Sequence, residues 1–422
     1  MSGEDGQGPR APVVVLIGTF DTKGQEYARL AELVVAAGGR PVLVDVGIGQ
    51  SDAQALVPDV DAETVVRAGG TDLAVLRSDG DRGAAVGAME KGAAEIALGL
   101  HAQRRLDGIA ALGGSGGTAI ATAAMRALPF GVPKLMVSTL ASGDVSAYVR
   151  GVDITMSYPV VDPVGENEIL DTVLRSAAGA IVGMARAGMT GGPPRSERPV
   201  VAATMFGVTT AGVTAARTRL QDEGYDVLTF HATGVGGDGM ERLIASGRVD
   251  AVADLTTTEL ADELVGGIHP AGPDRLRTAG RLGIPQVISV GALDMVNFGP
   301  LQSVPARFAD RRLVRHNPHV TLMRTTPEEC AVLGRRLTER ARAARGPVLI
   351  LLPLRGISAL AVVGGPFHDP AADAALFDAI HDGCGESIEL LELDLEINDP
   401  AFGQAAAECL LELRARTAAT AG

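Results

Sequence analysis

Short, continuously apolar runs alternate with longer helical stretches along most of this chain of 422 residues. A run such as Val13-Val14-Val15-Leu16-Ile17 has no polar face, which is typical of a strand buried on both sides of a parallel sheet. Further runs lie at 41–45, 108–112, 135–138, 200–205, 226–230, 251–254, 286–290, 348–352 and 388–393. The helical stretches between them supply the crossovers that parallel strands need, so the alternation predicts an α/β fold.

The two halves of the chain repeat the same motifs in the same order. Gly131-Val132-Pro133 and Gly283-Ile284-Pro285 each stand directly before the fourth strand of their half. Residues 191–199 between the halves are rich in Gly and Pro, which is typical of a linker. We therefore predict two tandem Rossmann-like, doubly wound parallel-sheet subdomains at 13–190 and 200–422, with a disordered tail at 1–12.

A glycine-rich turn follows the strand at 108–112 and precedes a helical stretch at 119–126. Glycines let a backbone approach a phosphate closely, and the free N–H groups at the start of a helix point at it. The turn is therefore a predicted phosphate cradle, and its residues are Gly113, Gly114, Ser115, Gly116, Gly117 and Thr118.

Small, hydroxyl-bearing and acidic residues follow the other strands of the first half. Because ligands of open α/β sheets bind beyond the carboxyl ends of the strands, we expect these residues at the same site. Lysine can supply a point charge, and Asp21 or Asp144 can hold Mg²⁺. The set consists of Gly18, Thr19, Asp21, Thr22, Lys23, Asp45, Thr139, Ser142, Gly143 and Asp144.

The glycine-rich turn also satisfies the Gly-x-Ser-x-Gly pattern of a serine hydrolase. It is not a Walker A sequence, because no lysine follows it. A hydrolase that used Ser115 would need an acid and then a histidine later in the chain, yet no histidine lies between His101 and His231. The serine hydrolase remains an alternative to the phosphate cradle.

The second half lacks this glycine turn and carries a different set of polar residues near its strand ends. Imidazole, carboxylate and guanidinium groups together are the materials of acid–base catalysis, and their spacing matches no defined metal site. The candidate catalytic residues are His231, Glu241, Glu259, Asp294, His316 and Arg324. A hydrogen-bonded structural role for each histidine is the alternative, as is a nucleotide-regulated binding module without turnover.

Composition excludes several classes of partner. The net charge of −14 argues against nucleic acid, and no apolar run is long enough for a membrane span. The N-terminal residues have no apolar core for a secretion signal, so we expect a cytoplasmic protein. Three scattered cysteines, Cys330, Cys384 and Cys409, form neither a metal motif nor a disulfide framework.

Several motifs together resemble one family. They include Ile17-Gly18-Thr19-Phe20-Asp21-Thr22-Lys23-Gly24, Asp81-Arg82-Gly83, residues 112–118, residues 134–139, Phe230-His231-Ala232-Thr233-Gly234 and His316-Asn317-Pro318. The chain resembles the N-terminal ATP-binding region of the tomato-mosaic-virus resistance protein family and its bacterial relatives, an uncharacterised protein family. The resemblance implies two Rossmann-like subdomains, ATP binding and a homodimer or a multiple of it. It names no reaction, so whether an unknown small molecule is turned over stays open.

Overall fold

A computed structural model describes residues 10–49, 56–190, 197–385 and 388–421 of the chain. The chain divides into two compact units, Met1–Pro194 (unit 1) and Arg195–Gly422 (unit 2). Of the predicted tail and linker, residues 1–9 and 191–196 lie outside the described residues. Among the described residues, none of the helices combines the length and the apolar character that crossing a bilayer requires.

Unit 1 is built on a parallel sheet of five strands in the order β2-β1-β3-β4-β5. The strands are β1 (Val13–Gly18), β2 (Arg40–Asp45), β3 (Gly108–Gly113), β4 (Lys134–Ser138) and β5 (Thr155–Ser157). The helices are α1 (Phe20–Ala36), α2 (Ala62–Ala68), α3 (Leu73–Asp79), α4 (Arg82–Ala102), α5 (Ser115–Ala127), α6 (Ser146–Val149) and α7 (Glu168–Met189).

Helices cover both faces of this sheet, and the alternation of side chains along each strand feeds two separate cores. In β3, Ile109 and Ala111 pack with residues of α4 and α5, whereas Ala110 and Leu112 pack with residues of α1 and α7. A strand buried on both faces needs apolar residues at every position, which explains the unbroken apolar runs in the sequence.

Unit 2 contains a parallel sheet of six strands in the order β14-β13-β9-β8-β6-β7 and a small antiparallel sheet in the order β10-β12-β11. Its strands are β6 (Val200–Met205), β7 (Asp226–His231), β8 (Ala251–Thr256), β9 (Gln286–Gly291), β10 (Met295–Phe298), β11 (Leu313–Asn317), β12 (Val320–Arg324), β13 (Val348–Pro353) and β14 (Glu389–Leu393). Its helices are α8 (Thr210–Asp222), α9 (Val235–Ala245), α10 (Glu259–Val265), α11 (Thr278–Leu282), α12 (Pro327–Arg342), α13 (Pro370–Cys384) and α14 (Pro400–Ala421).

The predicted fold class, two tandem α/β units with parallel sheets, is confirmed. Two details differ from the sequence prediction. Helix α5 begins at Ser115, not at residue 119, so the glycines form the first helical turn. The strands β5, β10, β11 and β12 were not predicted; β5 has only three residues, and β10 starts only a few residues after β9 and reads as part of the following loop.

In each unit there is one pair of neighbouring strands from which the chain leaves in opposite directions: the connection after one strand leads toward one side of the sheet, and the connection after the other leads toward the other side. These pairs are β1 and β3 in unit 1 and β6 and β8 in unit 2. All strands of the five-stranded and the six-stranded sheet are parallel, so their carboxyl ends meet at one edge of each sheet. Such a topological switch point is where open α/β sheets bind ligands.

Candidate functional site

The glycine-rich turn of unit 1 opens helix α5 without a side-chain cap. Gly114 is the N-cap residue, with φ −88° and ψ −156°, and no side chain of the described residues accepts a hydrogen bond from the first turn. By contrast, the Asp81 carboxylate caps α4 by accepting from Gly83 N at 2.8 Å and from Ala84 N at 3.1 Å. The first N–H groups of α5 are therefore free to bind an anion.

Three glycines of this turn, Gly114, Gly116 and Gly117, have room for a side chain. A Cβ on Gly114 would lie 3.9 Å from Thr139 Oγ1, and one on Gly117 would lie 3.8 Å from Leu112 O, both ordinary van der Waals distances. None of the turn's glycines has a positive φ. Neither packing nor backbone conformation therefore requires glycine at 114, 116 or 117, and the space that their side chains would fill is available to a ligand.

Hydrogen bonds of two buried hydroxyl groups support the turn. Thr118 is fully buried, and its hydroxyl donates to Gly114 O at 2.8 Å and lies 2.7 Å from Ser138 Oγ. Ser138 ends β4, and the next residue, Thr139, presents its hydroxyl beside Gly114. The end of β4 therefore both supports the turn and lines one side of it.

Three more of the predicted site residues lie on the loop after β4. The Ser142 hydroxyl donates to Thr139 O at 3.4 Å, and Gly143 N donates to Leu140 O at 3.0 Å. The Asp144 carboxylate accepts from Ser146 N at 2.9 Å, and hydrogen bonding by the side chain and then the backbone of Ser146 lowers the pKa of Asp144. Asp144 is thus an exposed, ionised carboxylate at the carboxyl edge of the sheet.

Gly18 and Asp45 position the neighbouring strand ends. A Cβ on Gly18 would overlap the ring of Tyr27, whose hydroxyl lies 2.7 Å from Ile17 O and accepts from Leu112 N at 2.9 Å. The Asp45 carboxylate accepts from Phe20 N at 3.0 Å and from Gly47 N at 2.8 Å, and burial raises its pKa. The fold by itself therefore explains why position 18 is a glycine and position 45 an aspartate: the first makes room for Tyr27, and the second holds two backbone N–H groups.

The remaining predicted residues of the first half lie at the start of α1 and contact other loops. The Asp21 carboxylate accepts from Gly49 N at 2.7 Å, and Lys23 Nζ donates to Pro163 O at 2.7 Å. The hydroxyls of Thr19 and Thr22 lie 2.9 Å apart. Asp21 Oδ1 has no hydrogen-bond partner within the described residues although the atom is buried.

A separate groove of unit 1 lies between α1 and α7 and is strongly acidic. Arg29 in this groove is already paired with Asp171 and Glu32. The carboxylates that line the groove are Glu26, Glu32, Glu166, Glu168 and Asp171. This surface repels phosphates, so the glycine turn is the better anion site in unit 1.

In unit 2, the glycine-rich start of α9 is already filled by a carboxylate of the protein. Glu259 Oε1 accepts from Gly234 N at 2.6 Å and from Gly237 N at 3.1 Å. Its other oxygen accepts from Arg275 Nε at 2.6 Å. Glu259 is fully buried and engaged on both oxygens, which makes it a structural anion rather than a free catalytic base.

Arg275 joins Glu259 to two further buried acids. Its guanidinium pairs with both oxygens of Asp254 and lies 3.8 Å from Glu241 Oε1. Glu241 also accepts from Leu276 N at 2.7 Å. Burial away from water raises the pKa of Glu241 and of Glu259, and the Arg275 guanidinium opposes this shift.

The other predicted residues of unit 2 lie in different places. Arg324 is buried, donates to Asp373 Oδ1 at 2.6 Å and lies in the same cluster as Asp294, whose carboxylate accepts from Ser358 Oγ at 2.7 Å. His316 is exposed on β11, and the exposed His231 ends β7 with its ring centroid 5.4 Å from that of Phe206. By their contacts among the described residues, the six candidates fall into separate groups.

Ser115 has no suitable histidine in its own unit. It is exposed and is the first residue of α5. His101 is the sole histidine of residues 1–194, and it lies in the last turn of α4, about 28 Å along the helix from Arg82. Because Arg82 lies beside the glycine turn, unit 1 by itself offers no catalytic triad for this serine.

Two family models match the chain over most of its length. Residues 12–190 match the N-terminal domain and residues 198–414 the C-terminal domain of the uncharacterised protein family UPF0261. The chain belongs to the UPF0261 family. The division into two units found in the structure thus coincides with the division into two family domains.

Relatives in the UPF0261 family extend from bacteria to plants. A UPF0261 protein of Rhizobium meliloti is 48% identical and covers 93% of this chain and 97% of its own length, and one of Clostridium tetani is 44% identical over 95% and 98%. The tomato protein named ToMV resistance protein Tm-1(GCR237) is 36% identical over 96% of this chain, which spans 56% of the tomato protein.

Likeness to solved structures is weak. A UDP-N-acetylglucosamine 2-epimerase from Rickettsia bellii aligns with 66% of this chain and 79% of its own, at 10% identity and a TM-score of 0.23. This likeness carries no argument about function.

Three residues that matter at these sites were missed as site residues in the sequence. Arg82 lies beside the glycine turn, and its signal was the Asp-Arg-Gly motif that opens a long helix. Tyr27 joins the ends of β1 and β3. Arg275 lies in an irregular stretch rich in Gly and Pro, where no pattern predicts a fully buried guanidinium. In all three cases the partner is remote in sequence.

Proposed function

We propose that this UPF0261 protein binds ATP through the glycine-rich turn at 113–118 of unit 1. The observation that carries the proposal is the open, uncapped start of α5 at the switch point, where the glycines leave room that the protein does not use. Free N–H groups at a helix start bind phosphate well. The resemblance described above implies the same ligand.

Magnesium accompanies ATP in this proposal. Mg²⁺ is usually held by substrate phosphates and one or two carboxylates, so a dedicated cage is not needed. Among the described residues, no group of three or more His, Cys, Asp or Glu forms such a cage. Asp21, with its buried unpartnered oxygen, and the exposed Asp144 are the carboxylates that would meet the metal.

The proposal is tested by calorimetric titration of ATP with Mg²⁺ into the parent protein and two variants. Gly116→Val places a branched side chain in the phosphate space, so ATP binding should be lost. Ser115→Ala keeps the turn and removes one hydroxyl, which should cost about 0.5–1.5 kcal/mol, or up to about 3 kcal/mol if that hydroxyl bonds charged phosphate. Unchanged affinity in Gly116→Val would refute the cradle.

The serine hydrolase makes the opposite prediction. A nucleophile at Ser115 means that Ser115→Ala abolishes turnover and leaves ligand affinity nearly intact. It also means covalent labelling by a fluorophosphonate. The lack of a histidine near Ser115 within unit 1 favours the phosphate cradle.

Whether ATP is turned over separates an enzyme acting on a small molecule from a nucleotide-regulated binding module. The buried acids Glu241 and Glu259 are held by Arg275 and by backbone N–H groups, which favours a structural role for them. We therefore propose the binding module as the default. An ATP hydrolysis assay in which the parent protein releases phosphate and Gly116→Val does not would favour the enzyme.

We also propose a homodimer through the outer face of α7. Leu174, Ala178 and Ile181 of this helix pack into the core of unit 1. On its outer side, a Cβ on Gly179 or Gly183 would meet no atom within 4 Å. A close helix–helix contact fits such a surface, so Gly183→Leu should shift the mass in sedimentation from dimer to monomer. A monomer for the parent protein at all concentrations would refute the dimer.

A further inference from the structure

Arg82 is a cation beside the open turn, and the part of the chain that the structure describes supplies no acidic partner for it. One of its guanidinium nitrogens lies 3.8 Å from the position that a Cβ would take on Gly116. The side chain is exposed, and among the described residues no carboxylate forms an ion pair with it. In contrast, Arg29, Arg67 and Arg175 on other helices of the same unit are all paired with acids.

The packing of α4 and the cap at its start determine the surroundings of Arg82. Helices α4 and α5 pack against each other, and Ala85 and Met89 of α4 share one core with Ala121 and Ala124 of α5. This packing fixes the start of α4 relative to the start of α5. The adjacent Asp81 carboxylate serves as the cap of α4, so its accepting oxygen is taken up by backbone N–H groups.

The chemistry of a guanidinium next to a phosphate cradle limits the ligand. The free N–H groups of α5 hold one phosphate, and the planar fork of Arg82 can bind two oxygens of another. We propose that Arg82 binds the phosphate next to the one in the turn, so that the site selects ligands with two or more linked phosphates. This inference rests on the proposed function, since it assigns a second phosphate to the same site.

The test compares AMP, ADP and ATP as calorimetric titrants for the parent, Arg82→Ala, Arg82→Lys and Lys91→Ala. Lys91 is exposed on α4, about 14 Å further along the helix, so Lys91→Ala removes the same charge from the same helix without touching the site. Each variant is first checked for an unchanged melting temperature, which we expect because both side chains are exposed.

The expected result is a selective loss. Arg82→Ala should weaken ADP and ATP about 10- to 100-fold and AMP less than about threefold, because a lost charged hydrogen bond affects only the second phosphate. Arg82→Lys should recover only part of the loss, because an ammonium cannot reproduce the planar fork. Lys91→Ala should bind all three nucleotides as the parent does.

Other outcomes overturn the inference in distinguishable ways. If Arg82→Ala binds ATP like the parent while Gly116→Val does not bind it, the role of Arg82 is wrong and the cradle stands. If Arg82→Ala weakens AMP as much as ATP, Arg82 acts as a general charge and the selection of linked phosphates is wrong. If the parent binds none of the three nucleotides, the proposed function fails together with the inference.

Discussion

Helices α5 and α9 both begin in glycine-rich turns after a parallel strand, yet only one of the two turns has room for a ligand. At α9, a Cβ on Gly237 would overlap the Glu259 carboxylate, and Gly234 has φ +78° with its Cβ position 2.8 Å from Pro270 O. At α5, a Cβ on Gly114, Gly116 or Gly117 would make only ordinary van der Waals contacts, and none of these glycines has a positive φ. The protein itself requires the glycines of α9, whereas nothing in unit 1 requires those of α5.

This difference distinguishes a glycine that the fold requires from one that the fold does not require. Both turns present the N–H groups of a helix start, which have no partner within the helix, and the positive end of a helix dipole. In unit 2 an internal carboxylate, itself neutralised by Arg275, satisfies them. Among the residues of unit 1 that the structure describes, no side chain takes that role, so an external anion can. The following experiments test this comparison, beginning with the largest expected effect.

Removing the charge of Arg275 should be the most damaging change to the filled turn. Arg275→Met leaves three buried carboxylates without a counter-ion, and breaking a buried pair in this way costs about 3–5 kcal/mol of unfolding free energy. Urea denaturation at neutral pH measures it. Arg277→Met is the matched control, since Arg277 lies 3.7 Å from the largely exposed Glu339 and should change stability by less than about 1 kcal/mol. A loss of less than about 1 kcal/mol for Arg275→Met would mean that Arg275 does not stabilise the three buried carboxylates.

A methyl group at Gly237 should also destabilise the protein. Gly237→Ala forces the Glu259 carboxylate away from the backbone N–H groups that it accepts from, which should cost about 1–3 kcal/mol. The control is Gly117→Ala, whose Cβ would lie 3.8 Å from Leu112 O and needs no movement. Equal melting temperatures for the two variants would remove the distinction between the turns.

Unit 2 should make the stability of the protein depend on pH. Burial raises the pKa of the Asp294 carboxyl from its usual 3.8 to about 6, so the folded protein holds this proton more tightly than the unfolded chain does. Stability from this group is therefore lost as pH rises from about 4 through about 6, by about 2–3 kcal/mol. Asp294→Asn cannot titrate, so its unfolding free energy should fall less over this range. An unchanged pH profile would show that Asp294 is ionised throughout.

The smallest effect on stability is expected at the open turn. Gly116→Ala should leave the unfolding free energy unchanged or raise it by up to about 1 kcal/mol, because alanine is the better helix former and its Cβ would lie at an ordinary contact distance of 3.8 Å from a guanidinium nitrogen of Arg82. Thermal unfolding without nucleotide measures this. A loss of more than about 1 kcal/mol would mean that the fold requires this glycine and would weaken the case for a ligand.

The sequence predicted the strands and the fold class well, but it did not predict which side chains contact each other at the candidate sites. The unbroken apolar run of β1 could be recognised because a strand buried on both faces permits no polar position. The start of α5 was placed four residues too late, because glycines are poor helix formers and hide a helical turn. The free cation Arg82 and the buried cation Arg275 were both missed as site residues, because each meets its surroundings through contacts remote in the chain.

By itself, the sequence determined the two parallel-sheet units and the placement of a glycine-rich turn at a strand end, since both follow from local patterns of apolar and small residues. Only the tertiary structure decided which glycine-rich turn is open. Whether a helix start is filled depends on where a distant carboxylate such as Glu259 lies, and that is set by the packing of strands and loops. Hydrogen bonds and Cβ distances act through space, so no pattern along the chain contains them.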